Sequence, residues 1–207
     1  MSDVLTSERK SQAPRIGESA SRPDGIPKVT GKFVFSGDLR RGEMLWGSTL
    51  RSPYPSARIR SLDISPALAL AGVHAVLTHE DIPGSLLYGI EHPDQPVLAA
   101  DVVRYEGEPV ALVAADHPDT ARRAAEAIVV DYEPLNPVCN PELAENSVSI
   151  HPDGNLIRHI HLRHGPQDVV GDVVVEGTYE VGMQDQAPLG TESGLAVPDG
   201  QGGVDLY

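Results

Sequence analysis

The sequence predicts an α+β fold in which mixed or antiparallel strands carry one packed helix. Three observations lead to this prediction. Short runs rich in β-branched and aromatic residues alternate with Gly-containing turns from residue 28 onward. Residues 110–115 (VALVAA) are apolar on both alternating phases, which is typical of a strand covered on both faces. Directly after them, apolar residues at i, i+3, i+4 and i+7 predict an amphipathic helix: Ala121, Ala124, Ala125 and Ile128.

The first predicted strands lie over residues 32–36 (KFVFS) and 44–52 (MLWGSTLRS), with residues 38–42 as the loop between them. In residues 57–64 (ARIRSLDI) the apolar side chains change phase halfway along, so a regular strand would place them on opposite faces. A β-bulge near Ser61 reconciles the two phases. The sequence therefore predicts a bulged strand there.

The following elements are predicted from turn signals, caps and apolar runs. In order they are a helix over residues 66–71 ended by Gly72, a strand over 73–78, a loop-rich stretch over 79–101, a strand over 102–105, a turn over 106–108, the strand over 110–115, a helix over 117–128 with Asp116 as its N-cap, and a strand over 128–132.

The C-terminal part is predicted to begin new β structure. Residues 172–181 alternate between apolar and polar side chains, as a half-buried strand does. Residues 195–198 and 204–207 flank the run DGQGG and predict a hairpin. The second strand of this hairpin is interrupted at Tyr207, so we expect the chain to be a piece of a longer protein. Its open edge also predicts either self-association, as in a homo-oligomer, or disorder of that strand.

Composition and pattern divide the chain into four parts. Residues 1–22 are polar and lack periodicity, which predicts a flexible segment. Residues 23–137 hold the predicted α+β domain. Residues 138–170, with several Pro and Asn near their start, are predicted to be a linker, and residues 171–207 the truncated start of a second domain.

The charge and the cysteine content exclude several classes of protein. The 207 residues carry a formal net charge of -14, which disfavours binding to nucleic acid or to an anionic membrane. No apolar run is long enough to span a bilayer, and the N-terminus lacks the apolar centre of a secretory signal. One cysteine, Cys139, can form neither an internal disulfide nor a four-cysteine metal site. These features predict a cytoplasmic protein.

A histidine pattern is the one candidate metal site. His159, His161 and His164 form an HxHxxH run, and on a strand the first two would share a face. No carboxylate or cysteine in the same segment completes a ligand set, so a solvated strand edge is the favoured interpretation. We therefore predict no metal site.

Two groups of neighbouring carboxylates offer acid–base chemistry in principle: Glu106 with Glu108, and Asp131 with Glu133. They flank a turn and a strand end, so we expect solvated surface. Motifs for dinucleotides, phosphates, activated serines and helical zinc sites are absent from the sequence.

Four ordered blocks carry a resemblance to a known family. They are residues 16–39 (IGESASRPDGIPKVTGKFVFSGDL), 50–65 (LRSPYPSARIRSLDIS), 72–84 (GVHAVLTHEDIPG) and 103–138 (VRYEGEPVALVAADHPDTARRAAEAIVVDYEPLNPV). Together they resemble the a/b hammerhead domain of molybdenum hydroxylases of the xanthine dehydrogenase/aldehyde oxidase family, which includes carbon monoxide dehydrogenase large subunits. The resemblance extends from about residue 16 to the end of the chain.

This resemblance implies the N-terminal part of a molybdopterin-binding subunit. In the family, a molybdenum–molybdopterin centre hydroxylates the substrate, and electrons leave through iron–sulfur clusters and FAD in partner subunits or domains, to NAD or oxygen. The family's glutamate base and Gly-rich pterin-binding segments come after the region represented here. We therefore assign no catalytic residue in this chain and expect it to bind no cofactor and oxidise no purine by itself.

The last block indicates a substrate class. Residues 172–198 resemble the start of the molybdenum-cofactor-binding domain, and the family has the same residue at the position of Gln184. Many relatives have His where Gln186 stands and Glu where Gly190 stands. With Gln and Gly at these positions, the segment resembles the purine-oxidising bacterial members of the family, which have D-type molybdopterin-binding subunits. Gln184 and Gln186 are candidates to border the cofactor or substrate, and ordinary turn residues are the other interpretation.

Three functions follow from the resemblance. The first is part of a xanthine dehydrogenase-like enzyme that oxidises xanthine or hypoxanthine with NAD. The second is a structural or assembly module that contacts the FAD and iron–sulfur subunits without chemistry of its own. The third is part of a family member that acts on aldehydes or aromatic heterocycles, or of a carbon monoxide dehydrogenase-type hydroxylase.

Overall fold

The computed structural model describes residues 16–17, 19–90, 92–166, 171–187 and 192–207. The chain divides into two compact units, one formed by residues 41–177 and the other by the segments on either side. The helices are α1 (Gly25–Val29), α2 (Ser65–Leu68), α3 (Pro118–Ala127) and α4 (Pro141–Ala144). The strands are β1 (Trp46–Arg51), β2 (Ala57–Asp63), β3 (Val73–Leu77), β4 (Leu87–Tyr88), β5 (Gln95–Pro96), β6 (Val102–Val103), β7 (Pro109–Ala115), β8 (Val129–Pro134), β9 (Ala196–Pro198) and β10 (Val204–Leu206).

Two three-stranded antiparallel sheets build the 41–177 unit. One has the order β1-β7-β3 and the other the order β6-β2-β8, while β4 and β5 form a short separate pair. Helices α2 and α3 pack against each other and against the first sheet. The predicted α+β class, with antiparallel strands and one main packed helix, is confirmed.

Strand β7 is covered on both faces, as its sequence predicts. Ala111 and Val113 are buried in a core with Ala124 of α3, while Val110 is buried in a second core with Ala57 and Val103. Successive side chains of a strand point to opposite faces. The strand therefore separates a helix-facing core from a core shared with β2 and β6.

Helix α3 has the predicted buried stripe, but its N-cap is His117 and not Asp116. The backbone N–H of Asp116 donates to Gly72 O at 2.9 Å, which keeps residue 116 bonded to the chain just before β3. The Nδ1 of His117 then accepts from the N–H of Asp119 at 3.1 Å, and Pro118 follows at the first helical position. Because Pro118 occupies the first helical position, the residue before it, His117, is the N-cap, and the bond from Asp116 to Gly72 lies outside the helix.

The predicted bulge in β2 is confirmed. Its pairing with β8 changes register between Ile59 and Ser61. The extra residue lets both halves of the strand turn apolar side chains inward, so that Ile59 and Leu62 both pack against the second core.

Two predicted strands are wrong. Residues 32–35 are irregular and a 3₁₀ turn, Ser36–Asp38, follows. In this segment the rings of Phe33 and Phe35 meet edge to face at 4.8 Å, with Lys28 Nζ 4.6 Å from the Phe33 centroid. The aromatic residues that suggested a strand thus make local contacts instead of lining one face of a sheet.

Residues 172–181 are likewise irregular and exposed, although they alternate in polarity. Val173, Val175 and Tyr179 are each more than four-fifths exposed. No ladder joins this segment to another among the described residues. Alternation defines two faces, but a strand also needs a neighbouring edge with which to exchange hydrogen bonds.

The predicted C-terminal hairpin is confirmed. β9 and β10 are antiparallel, with Val197 opposite Asp205. Asp199 closes the turn, because its Oδ1 accepts from the N–H groups of Gln201 at 2.7 Å and Gly203 at 2.9 Å. These two bonds, that of Gln201 first, lower the pKa of the Asp199 carboxyl group.

This turn predicts an acid-sensitive hairpin. The folded pKa of Asp199 lies below the unfolded value of about 3.9, so the carboxylate stabilises the turn fully above that value. The contribution is lost as the pH falls through the folded pKa. We expect amide NMR signals of Gln201 and Gly203 to titrate together with a midpoint below that of an unperturbed Asp. Asp199→Asn keeps an acceptor and should remove this titration, whereas a midpoint at or above the ordinary value would contradict the assignment.

Candidate functional site

A cleft of about 1340 Å³ lies in the 41–177 unit. Its walls come from residues 88–90 and 92–96, from residues 104–108 and from residues 137–157. The first wall is held by the β4–β5 pair and by Gly89, where any Cβ atom would collide with the carbonyl of His92. Ordered loops therefore shape the cleft, and the predicted linker contributes one of its sides.

Asn155 orders the wall formed by residues 137–157. Its Oδ1 accepts from the N–H of Ile150 at 2.7 Å, and its Nδ2 donates to Ala144 O at 2.7 Å and Val148 O at 2.9 Å. The exposed thiol of Cys139 lies on the same wall. One amide side chain thus forms hydrogen bonds with three backbone groups of this segment.

A contact between an imidazole and a carboxylate crosses the cleft. His151 Nδ1 lies 2.9 Å from Asp94 Oδ2, and each side chain is nearly two-fifths exposed. The contact joins the wall of residues 92–96 to the wall of residues 137–157. Its charge depends on protonation of the imidazole.

Glu108 lies against the cleft with its side chain buried. The residue is only 1% exposed, so the prediction of solvated surface is wrong at this position. Its carboxylate Oε2 accepts from the backbone N–H of Arg104. Its own backbone N–H donates to Tyr105 O at 3.2 Å, and its carbonyl accepts from the N–H of Ser52 at 2.9 Å. Hydrogen bonds therefore fix the side chain, the backbone N–H and the carbonyl of Glu108.

The other oxygen of this carboxylate is less well satisfied. Glu108 Oε1 is buried and accepts no hydrogen bond from any described residue. The nearest cation, Arg104 Nη1, lies 3.9 Å away, which is too far for a hydrogen bond. A sequence signal for this burial exists, because Glu108 precedes buried Val110 by two residues and so lies on the same phase of the chain.

The other carboxylates in these groups are at the surface, as expected. Glu106 and Asp131 are exposed. Glu133 is partly exposed and pairs with Arg60 at 2.6 Å. They are not brought together with Glu108 into an acid–base pair.

The histidine run lies on irregular chain, so the strand that would align it is not formed. His159, His161 and His164 are exposed. The rings of His159 and His161 stack with centroids 6.5 Å apart and planes within 6°. Within the described ranges, no three or more His, Cys, Asp or Glu side chains are grouped to hold a metal ion.

Gln184 and Gln186 both lie exposed on the irregular segment before residue 188. Gly190, which stands where many relatives have Glu, lies outside the described residues. In the part of the chain that the structure describes, no helix is long and apolar enough to cross a membrane.

The two antiparallel sheets, with α3 packed on the first, define an α+β domain of hammerhead type. Residues 30–136 match the family model described as aldehyde oxidase and xanthine dehydrogenase, a/b hammerhead domain, and the chain belongs to this family of oxidoreductases. The family resemblance carried by the four sequence blocks is confirmed.

Several curated relatives match most of the chain, and two of them are described first. One is a protein of Bacillus subtilis named as a probable D-type subunit of xanthine dehydrogenase, 42% identical over 194 residues, which cover 91% of this chain and 26% of that protein. The other is "Nicotinate dehydrogenase large molybdopterin subunit" of Eubacterium barkeri, 37% identical over 192 residues, which cover 90% of this chain and 45% of that protein. The chain therefore spans a quarter to just under half of these relatives' lengths.

Solved structures share the fold. The aldehyde oxidoreductase of Desulfovibrio desulfuricans superposes with a TM-score of 0.60 at 31% identity, over 67% of this chain and 17% of that chain. Reconstituted CO dehydrogenase of Oligotropha carboxidovorans gives a TM-score of 0.58 at 35% identity, again over 67% of this chain and 17% of that chain. These names include different substrates, so the shared fold does not select one.

Proposed function

We propose that the chain is the N-terminal portion of the molybdopterin-binding subunit of a xanthine dehydrogenase-like hydroxylase that oxidises xanthine or hypoxanthine with NAD. The observation that carries this proposal is the 42% identity, over 91% of the chain, to the Bacillus subtilis protein named as part of a probable xanthine dehydrogenase. The family membership and the Gln186 departure from the common His support it.

Within such an enzyme the chain acts as scaffold. Gln184 and Gln186, the two candidates to border a molybdenum–molybdopterin group, both lie exposed on one irregular segment. We therefore derive no chemical step through that group from these residues. The catalytic residues of the proposed enzyme lie elsewhere in the complete protein.

The proposal includes partners and a compartment. Electrons from the molybdenum centre would pass to iron–sulfur clusters and FAD carried by partner subunits or domains. A single cysteine and a net charge of -14 are compatible with a cytoplasmic enzyme of purine metabolism.

The test is a substrate comparison on the complete enzyme, assembled with its iron–sulfur and flavin subunits. We expect kcat/KM for xanthine or hypoxanthine to exceed that for nicotinate and benzaldehyde by about 100-fold, with NAD reduced in step. A preference for nicotinate would support an aromatic-heterocycle hydroxylase instead, and a preference for benzaldehyde or carbon monoxide would support the aldehyde oxidase or carbon monoxide dehydrogenase type.

The second part of the test uses the isolated 207-residue chain. We expect elemental analysis to show no stoichiometric molybdenum and expect no turnover of xanthine. Metal at one equivalent, or turnover, would contradict the scaffold role. A complete assembly that also lacks turnover of every substrate would support the alternative of a structural module.

A specific observation favours the aromatic-heterocycle alternative. The relative named as nicotinate dehydrogenase is 37% identical, only slightly below the Bacillus subtilis relative, and matches nearly the same share of this chain. For this reason nicotinate is included in the substrate comparison.

A further inference from the structure

The chain contains three Asp-Gly dipeptides, which begin at Asp24, Asp153 and Asp199. In such a dipeptide the glycine nitrogen can attack the carboxyl carbon of the aspartate, because glycine has no side chain to hinder the approach. The carboxyl group must be free to turn towards that nitrogen. It must also be transiently protonated, so that its hydroxyl group can leave. The surroundings of each carboxyl group therefore decide which of the three dipeptides reacts.

The carboxylate of Asp24 is held by two cations. Its Oδ1 lies 2.5 Å from Arg22 Nε, and its Oδ2 lies 2.6 Å from Lys28 Nζ. The hydrogen bond from Arg22 first, and then that from Lys28, hold the pKa of this carboxyl group well below its ordinary value. The group is therefore both restrained and kept ionised, and each effect opposes ring closure.

The carboxylate of Asp199 is held by backbone amides of the hairpin turn. Its Oδ1 accepts from the N–H groups of Gln201 at 2.7 Å and Gly203 at 2.9 Å. These bonds lower the pKa of the Asp199 carboxyl group as well. Attack by the nitrogen of Gly200 requires the carboxyl group to leave these two donors.

The carboxylate of Asp153 has no comparable restraint. The residue is exposed, and no other described residue donates a hydrogen bond to its side chain or forms an ion pair with it. At Gly154, φ is +96°, and no atom lies within 4 Å of the position that a Cβ would occupy. The N–H of Gly154 donates to a carbonyl three residues earlier at 3.0 Å, but Gly25 does the same at 3.1 Å. Freedom of the carboxyl group is thus what distinguishes Asp153 from Asp24.

We propose that Asp153 is a site of spontaneous backbone modification, at which Gly154 N attacks Asp153 Cγ and the resulting succinimide opens to isoaspartate. The N–Cγ bond forms, the Cγ–OH bond breaks, and the hydroxyl group leaves as water with the amide proton. Solvent water then adds to the ring. Addition at the main-chain carbonyl carbon of Asp153 breaks its bond to Gly154 N and gives isoaspartate, whereas addition at Cγ restores aspartate. The reaction involves no oxidation or reduction and is independent of the function proposed for the complete enzyme.

The modification would change one wall of the cleft. Isoaspartate adds its Cβ atom to the main chain between Ile150 and Asn155, and the N–H of Ile150 donates to Asn155 Oδ1 at 2.7 Å. The Nδ2 of the same Asn155 donates to Ala144 O at 2.7 Å. Because the longer main chain alters the spacing between these partners, we expect faster hydrogen exchange of the Ile150 amide after conversion.

The experiment is peptide mapping of the 207-residue chain after incubation at neutral pH and physiological temperature. Incubation continues until half of a separate synthetic peptide of residues 149–158 has converted. Mass spectrometry detects the succinimide by its loss of one water, and electron-transfer fragmentation distinguishes isoaspartate from aspartate. Trypsin places the three dipeptides in different peptides, which are residues 16–28, 124–158 and 164–207. We expect conversion at Asp153 to be about fivefold or more faster than at Asp24 or Asp199, the factor that corresponds to one hydrogen bond.

Two variants test the cause and the consequence. In the double variant Arg22→Gln, Lys28→Gln, conversion at Asp24 should rise about fivefold, while Asp153 in the same sample keeps its rate. Asp153→Glu keeps the charge but would need a larger ring, so it should form no isoaspartate at residue 153. Hydrogen exchange at Ile150 should then be the same before and after incubation.

Three results would overturn the proposal. The first is conversion at Asp24 or Asp199 that is as fast as conversion at Asp153. The second is an unconverted Asp153 in the chain when half of the separate peptide has converted. The third is an unchanged rate at Asp24 in the double variant, because restraint of the carboxyl group would then not control the reaction. The first two comparisons use the unsubstituted chain and do not depend on the folding of a variant.

Discussion

Replacing Ala124 with leucine is expected to lower the free energy of unfolding of the 41–177 unit by about 1–3 kcal/mol. Ala124 is fully buried where α3 packs on β7, in a core with Ala111 and Val113. The three additional carbon atoms have no space there unless the helix moves away from the sheet. Urea denaturation followed by circular dichroism measures the change.

The control for this substitution is Arg123→Leu, one residue earlier on the same helix. Arg123 is exposed, so the same side chain enters solvent instead of the core. We expect its effect to stay within about 0.5 kcal/mol. Equal denaturation midpoints for the two variants would contradict the close packing of α3 on β7.

Replacing Glu108 with alanine is expected to destabilise the same unit by about 1–3 kcal/mol. The substitution removes the acceptor for the backbone N–H of Arg104 and leaves that donor without its partner near the cleft. Glu108→Gln retains a side-chain oxygen and should recover most of the loss. The measurement is again urea denaturation, at neutral pH.

Glu106→Ala is the matched control, because it removes an exposed carboxylate two residues away. Its effect should stay within about 0.5 kcal/mol. If Glu108→Gln were as destabilising as Glu108→Ala, the charge of the carboxylate and not its acceptor oxygen would be the stabilising feature.

Local pattern was sufficient to predict the centre of the fold. The two apolar phases of residues 110–115 predicted a strand covered on both faces, and the alanine stripe predicted the helix that packs on it. The phase change in residues 57–64 predicted the bulge of β2. Each of these features follows from a side-chain period that can be seen within a short window of sequence.

The family could also be recognised from the sequence, because four blocks in a fixed order are far more specific than any one of them. The family model over residues 30–136 confirms it. The substrate remains a proposal, since this chain covers only part of its relatives, and their names include xanthine, nicotinate and aldehyde enzymes.

The errors had more than one physical cause. Residues 172–181 have the period of a strand, but the period does not supply a neighbouring edge. Asp116 is a good N-cap residue, but Pro118 occupies the first helical position, so the N-cap is His117. The first error depended on hydrogen-bond partners distant in sequence, whereas the second was local and amounted to one residue.

What the sequence by itself determined was the α+β class, the β7–α3 core and the family. The phase that Glu108 shares with Val110 gave a signal for its burial, but only the tertiary structure showed the donor to its carboxylate and showed that a segment predicted as a linker forms one wall of a cleft. The physical reason is that a carboxylate can be buried only where donors meet it, and the backbone N–H of Arg104 is placed there by the turn around Gly107. Residue type and spacing alone do not specify where that N–H donor lies.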